Sequence, residues 1–292
     1  MAILEVPAHA KINLSLDVLN KREDGFHELR MIMQTVELHD TVRIETTDDD
    51  GITLECDIKW VPRDGRNTAW KAAQLLMDYC GIRGGIKIVI EKRIPIAAGL
   101  AGGSSDAAAV LRGLNKLFST GLDNNELRAL GRQVGADVPY CIEGGTELAE
   151  GIGERLTPLP DCSGIDIVLI KPRISVSTAW VYGNLKAAEI MQGDRPDTEL
   201  IMKSLAANDI PMVAAHMKNV LELVTIPRYG IVQEAKDLLL RTGALGSMMS
   251  GSGPTVFGIF SDPNTATKAC DVLSDDHRWQ CYRTRTSNTL SY

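Results

Sequence analysis

The passage that most constrains this chain runs Lys92-Arg93-Ile94-Pro95-Ile96-Ala97-Ala98-Gly99-Leu100-Ala101-Gly102-Gly103-Ser104-Ser105-Asp106. A β-branched run, Ile86 to Ile90, precedes it, and Ala107, Val110, Leu111, Leu114 and Leu117 follow at helical spacing, which predicts strand, glycine loop, helix. A helix start leaves backbone N–H groups unpaired at the positive end of the helix dipole, and glycines let a phosphate approach them. Ser104 and Ser105 add hydroxyls suited to phosphate oxygens or to Mg²⁺, with Ser105 the candidate metal ligand. The spacing fits neither the dinucleotide fingerprint nor Walker A. For the loop alone, a plain glycine turn at a helix cap is the alternative.

Around this passage the pattern is mixed. Ile12, Leu14, Leu16 and Val18 alternate with Lys11, Asn13, Ser15 and Asp17, which reads as a half-buried strand with a polar face. Asp24-Gly25 marks a turn, and Thr41–Glu45 and Ile52–Glu55 look like short strands. Asn67 starts a helix, and Asp123-x-x-Glu126 is an acidic capping box starting another that ends near Gly131 to Gly135. Pro158, Pro160, Ser163 and Gly164 mark a linker, dividing the chain into 1–160 and 161–292. Beyond it come a strand at Ile165–Ile170, several helices between Ser177 and Leu240, strands near Ala244–Met249 and Thr255–Phe260, a helix from Pro263, and a strand around Gln280–Arg283. Strands before and between helices in both halves predict an α+β protein of two lobes.

Taken singly, Lys11 and Asn13 read as solvent-facing edge residues, Asp137 as a loop carboxylate, and Ser250-Gly251-Ser252-Gly253-Pro254 as a flexible hairpin or a second phosphate clamp. Together and in this order they resemble the superfamily of galactokinase, homoserine kinase, mevalonate kinase and phosphomevalonate kinase. The matching blocks are Ala10-Lys11-Ile12-Asn13-Leu14, Pro95 to Ala107, and Met249 to Thr255; Pro95-Ile96-Ala97-Ala98-Gly99 departs from members with a glycine at the first loop positions. Within it, Arg22-Glu23-Asp24-Gly25-Phe26-His27-Glu28-Leu29 and Gly135-Ala136-Asp137-Val138-Pro139 resemble the branch that phosphorylates a cytidine-diphosphate-linked methylerythritol on the non-mevalonate isoprenoid route.

The resemblance implies a two-lobed GHMP kinase fold, with an N-terminal lobe like ribosomal protein S5 and a ferredoxin-like C-terminal lobe, and a kinase using ATP and Mg²⁺. It implies Lys11 and Asp137 as the catalytic pair, converging within hydrogen-bond reach. ATP would be held by Pro95, Gly99, Leu100, Ala101, Gly102, Gly103, Ser104 and Ser105, with Asn67 and Lys92 toward adenine. Their plain alternatives are a helix cap and a surface charge. Asn13 would hold the methylerythritol end. Phe26 and His27 would stack on and edge-bond the cytosine opposite Tyr182, and Gly251 and Ser252 would also bind the substrate. Core packing is the alternative for Phe26 and Tyr182. Met33 stands where some members carry a further aromatic, which implies a softer pocket wall.

Composition narrows the classes left open. With 44% hydrophobic and 24% charged residues the chain is globular rather than disordered. Its net charge of −7 argues against nucleic acid as a general partner. Six cysteines without C-x-x-C spacing suggest reduced thiols in a cytoplasmic protein, and no apolar run is long enough to suggest a membrane span. A monomer or weak homodimer is expected. The readings that remain beside the methylerythritol branch are another kinase of the superfamily and a non-catalytic ligand-binding relative. The presence of both Lys11 and Asp137 favours catalysis over mere binding.

Overall fold

The computed structural model describes residues 2–290. Ile3–Lys21 (β1) and His27–Thr47 (β2) form a long antiparallel hairpin around the Asp24-Gly25 turn, where Asp24 accepts the Phe26 N–H. The sequence pattern marks only 41–45 of β2, because the register shifts three times along the hairpin and breaks simple alternation. One shift leaves Leu14 unpaired between Asn13↔Met33 and Ser15↔Ile32. Ala10, Ile12 and Leu14 consequently enter a different core from Leu16 and Val18. The expected polar face is not solvent-facing: Lys11, Asn13, Ser15 and Asp17 are all buried.

One edge of β2 is taken by β1; the other is shared by Gly85–Glu91 (β4) and Thr146–Gly151 (β5). Gly51–Cys56 (β3) pairs in parallel with β4, with Thr68–Cys80 (α1) as the crossover, and Arg155–Pro158 (β6) closes the far edge. Gly102–Leu117 (α2) packs across β1 and β2 so closely that a Cβ on Gly113 would lie 2.5 Å from Ile44. Asn124–Val134 (α3) begins with the anticipated capping box, in which Asp123 accepts the Glu126 N–H and Glu126 accepts the Asp123 N–H. Val138–Glu143 (α4) follows.

Every strand of the second sheet lies after residue 165. Asp166–Pro172 (β7), Gly246–Met249 (β8), Val256–Phe260 (β9) and Trp279–Arg285 (β10) form an antiparallel sheet in the order β10-β7-β9-β8. With helices between β7 and β8 and again between β9 and β10, this is the ferredoxin-like arrangement. The helices are Thr178–Asn184 (α5), Thr198–Ala206 (α6), Ile210–His216 (α7), Glu222–Arg228 (α8), Ile231–Arg241 (α9) and Pro263–Ser274 (α10).

The two halves share a core rather than packing separately. One buried cluster joins Ile12, Leu14, Ile32 and Val36 of the first sheet to Ile167, Leu169, Phe257 and Ile259 of the second. Polar stitches border it, with the Leu38 N–H on Thr284 Oγ1 and Gln34 Nε2 on the Ser287 carbonyl. Phe257→Ala should therefore cost about 3–5 kcal/mol and lower the urea midpoint of both halves together. A first half that kept its original midpoint would show that the seam does not couple them.

Candidate active site

The glycine loop leaves β4 at Glu91 and turns three times into the left-handed region, at Ala97 (φ 52°), Gly99 (φ 75°) and Ala101 (φ 59°). Such alternation turns successive N–H groups toward one side, forming an anion-binding concavity. Two of these positions are alanines, each bearing roughly 1–2 kcal/mol of strain, so other contacts must hold the turn. The helix begins at Gly102, earlier than the apolar spacing indicates, and residues 102–106 are its first turn. The Ser105 N–H bonds the Ala101 carbonyl, leaving those of Gly102, Gly103 and Ser104 without intrahelical partners.

Two sets of contacts hold the loop. Below it, Asp40 accepts the Arg93 and Ile94 N–H groups through Oδ1 and pairs with the Lys92 ammonium through Oδ2, while Lys92 reaches Asp106 at 2.7 Å. All three side chains are buried. Burial pulls Lys92 down, but Asp106 and Asp40 outweigh it and raise it overall. Burial pushes Asp106 up, to about 7, with Asp40 adding to it against the pull of Lys92. Lys92 is therefore an internal staple, not a surface charge. From the second half, Ser250 Oγ donates to the Gly99 carbonyl, and a Cβ on Gly99 would come within 2.2 Å of the Ser250 carbonyl. The 250–255 run is fully buried, so it is not a loose hairpin.

At the loop's mouth stand Lys11 and Asp137. Lys11 Nζ donates to Asn13 Oδ1 at 2.8 Å, and the Gly251 N–H donates to the same oxygen at 3.1 Å. Asn219, which sequence reasoning missed, sets Gly251 by donating to its carbonyl and to that of Met249. Burial lowers Lys11, while the Asp137 carboxylate opposes that shift. The two charges thus face each other within electrostatic reach, but the hydrogen bond of Lys11 goes to Asn13 and not directly to Asp137. Asp137 occupies the N-cap position of α4, yet its side chain caps nothing there.

These residues line one cleft of about 1070 Å³, which takes in Asn67, Lys92, Pro95, Gly99 to Ser104, Asn13, Phe26, His27, Tyr182, Gly251 and Ser252. Ser105 is the exception among the expected site residues. It is buried beneath the loop, and its hydroxyl donates to the His9 carbonyl at 2.6 Å, so it does not face the cleft as a phosphate or metal ligand would. Asn67 is also committed: Oδ1 caps α1 through the Ala69 N–H, and Nδ2 donates to the Pro62 carbonyl. Thr68, beside it, ties α1 to α2 by donating to the Gly103 carbonyl.

At the other end the rings of His27 and Tyr182 already touch, with centroids 5.2 Å apart, so no base fits between them. Phe26, 56% exposed, offers a free ring face. Burial, then Lys21, lowers His27 and favours its neutral form. Met33 is wholly buried and away from the cleft; Met31 lines it and accepts the Asn13 amide on its sulfur. Arg66 and Thr178 also line the cleft, and no sequence signal marks them.

Comparison with known proteins bears on this cleft. The chain matches the family of the GHMP kinases N terminal domain over residues 67–145 and GHMP kinases C terminal over 201–277. It is 56% identical over 286 residues to a 4-diphosphocytidyl-2-C-methyl-D-erythritol kinase of Acetivibrio thermocellus, covering 98% of this chain and 100% of that one. A relative of the same name from Clostridium perfringens is 47% identical, covering 98% and 99%. A crystal structure of 4-(cytidine 5'-diphospho)-2C-methyl-D-erythritol kinase superposes with a TM-score of 0.83 at 34% identity, covering 97% and 99%. Homoserine kinase from Cytophaga hutchinsonii has a TM-score of 0.79 at 21% identity, covering 98% and 95%, a likeness of fold alone.

His9, below Ser105, provides a pH test of how tightly this floor is packed. Burial chiefly draws its imidazole from 6.5 down to about 4, and Nε2 is buried without a partner. The folded chain then binds fewer protons than the unfolded chain in that window. The resulting stability is complete above pH 6.5 and is lost as the pH falls toward 4. His9→Gln should remove roughly 3 kcal/mol of acid sensitivity, read as the difference between urea unfolding profiles. Parallel profiles for the two proteins would rule this out.

Proposed function

Because the chain belongs to the 4-diphosphocytidyl-2-C-methyl-D-erythritol kinase family of the GHMP kinases, we propose that it transfers the γ-phosphoryl group of ATP to the 2-hydroxyl of 4-diphosphocytidyl-2-C-methyl-D-erythritol, a step toward isoprenoid precursors. The observation that carries this reading is the buried Lys11 ammonium, held by Asn13 and facing Asp137 in front of the unpaired N–H groups of α2. Phosphoryl transfer needs an aligned hydroxyl, neutralised phosphate oxygens and a proton acceptor. The substrate oxygen bonds to the γ-phosphorus, the bond to the β-bridging oxygen breaks, ADP leaves, and Asp137 takes the hydroxyl proton. Lys11 offsets charge on the transferring group.

The concavity at 97–101 and the N–H groups of Gly102, Gly103 and Ser104 would hold the ATP phosphates, with Val61, Pro62 and Asn67 toward adenine. Phe26 would stack on cytosine, with the His27 ring, backed by Tyr182, at its edge. Mg²⁺ needs only one or two carboxylates when phosphates supply its other oxygens. Asp106, whose Oδ1 is buried without a hydrogen-bond partner, fits that demand, beside the Ser104 hydroxyl. When bound, the ion would neutralise the phosphates. Among the described residues, no helix is long and apolar enough to cross a membrane.

The purified protein with ATP, Mg²⁺ and the cytidine diphosphate alcohol should release ADP. Release with homoserine or mevalonate alone would assign it to another branch. Asp137→Ala should lower kcat by about 10²- to 10⁴-fold while ATP affinity stays within a few fold; near-normal turnover would remove Asp137 as the base. Lys11→Met should likewise lose turnover. Asn219→Ala, acting through Gly251 and Asn13, should lower kcat roughly 10- to 100-fold with KM for ATP little changed. A change confined to KM would place its effect on binding instead.

A further inference from the structure

Away from the cleft, Cys270 on α10 and Cys281 on β10 bring their sulfur atoms to 3.0 Å. All six cysteines are free thiols, and this pair is half-buried, at the boundary between the helix and the edge strand of the second sheet. Ala266, Ala269 and Leu273 anchor α10 beside Cys270, and Trp279 anchors β10 near Cys281, so both backbones are fixed by packing. A disulfide needs about 2.05 Å between sulfurs, a further approach of about one ångström.

We propose that Cys270 and Cys281 form a thiol–disulfide exchange site that takes small-molecule disulfides, the oxidised forms of low-molecular-weight thiols. The Cys270 thiolate attacks one sulfur of the disulfide RSSR, forming Cys270–S–S–R and releasing RS⁻. Cys281 then gives up its proton and attacks Cys270 Sγ, expelling the second RS⁻. Two protein thiols are oxidised, RSSR is reduced, and with the protons taken up the products are one protein disulfide and two RSH. The hydrogen bond from Cys281, helped by Ser274 and more weakly by the Arg283 charge, outweighs burial and lowers the Cys270 thiol, which makes it the attacking member. By contrast burial raises Cys56, Cys141 and Cys162, whose thiols lie inside the fold. The bond would cross-link α10 to β10 across the turn between them, without touching the cleft.

The test is incubation of the native full chain with oxidised glutathione, then alkylation and peptide mapping by mass spectrometry. Alkylatable thiols should fall from six by two, with one linked Cys270–Cys281 peptide and no retained glutathione, and hydrogen exchange in 263–285 should slow. Cys281→Ser should stop at a mixed disulfide on Cys270. A stable mixed disulfide in the unsubstituted chain, faster modification of Cys80, or no loss of thiols would each overturn the proposal. ADP formation in the same samples reports on the kinase reading separately, so failure of one leaves the other standing.

Discussion

The contact between Gly99 and Ser250 is the constraint from which the site follows. The backbones of the two motifs, one from each half of the chain, approach so closely that a single methyl group on Gly99 would collide with the Ser250 carbonyl, and the Ser250 hydroxyl closes the joint by bonding the Gly99 carbonyl. Once the motifs meet, the Gly251 N–H reaches Asn13, Asn13 orients the Lys11 ammonium, and the strained turn at Ala97 and Ala101 is held against relaxation. Strain of this kind persists where surrounding contacts over-determine the backbone.

Charge is arranged around that joint in two tiers. The upper tier, Lys11 and Asp137, has unspent capacity: Lys11 uses one of its three donors on Asn13, and the Asp137 side chain caps no helix. The lower tier, Asp40, Lys92 and Asp106, is more heavily engaged, with both Asp40 oxygens and two Lys92 donors paired and one Asp106 oxygen left without a partner, and it fixes where the loop starts relative to α2. A buried ion triad adds little net stability and is costly to break, so its contribution lies in geometry. Its position directly under the loop fits that role.

Much of this was legible from residue types alone. The glycine loop, the Asp123–Glu126 capping box and the Asn67 cap are local signals, each decided by backbone groups a few residues away. What escaped the sequence was decided at a distance. The Leu14 bulge depends on the partner strand and splits an apolar row between two cores. Ser105 faces inward because the His9 carbonyl lies behind it, and the Asp40–Lys92 pair spans 52 positions. Asn219 carries no motif, and its role appears only where the β8–β9 turn folds over it.

The core shared by the two sheets limits how the cleft can trade its contents. Prising the halves apart would wet Ile12, Leu14, Phe257 and Ile259, at about 25 cal/mol for each Å² exposed, and would break the joint that orders the site. Jaw-like opening is therefore disfavoured. Whatever occupies the cleft must pass in and out at the rim, where Phe26 and Arg66 are exposed, so its exchange falls to the side chains there while the floor of the cleft stays assembled.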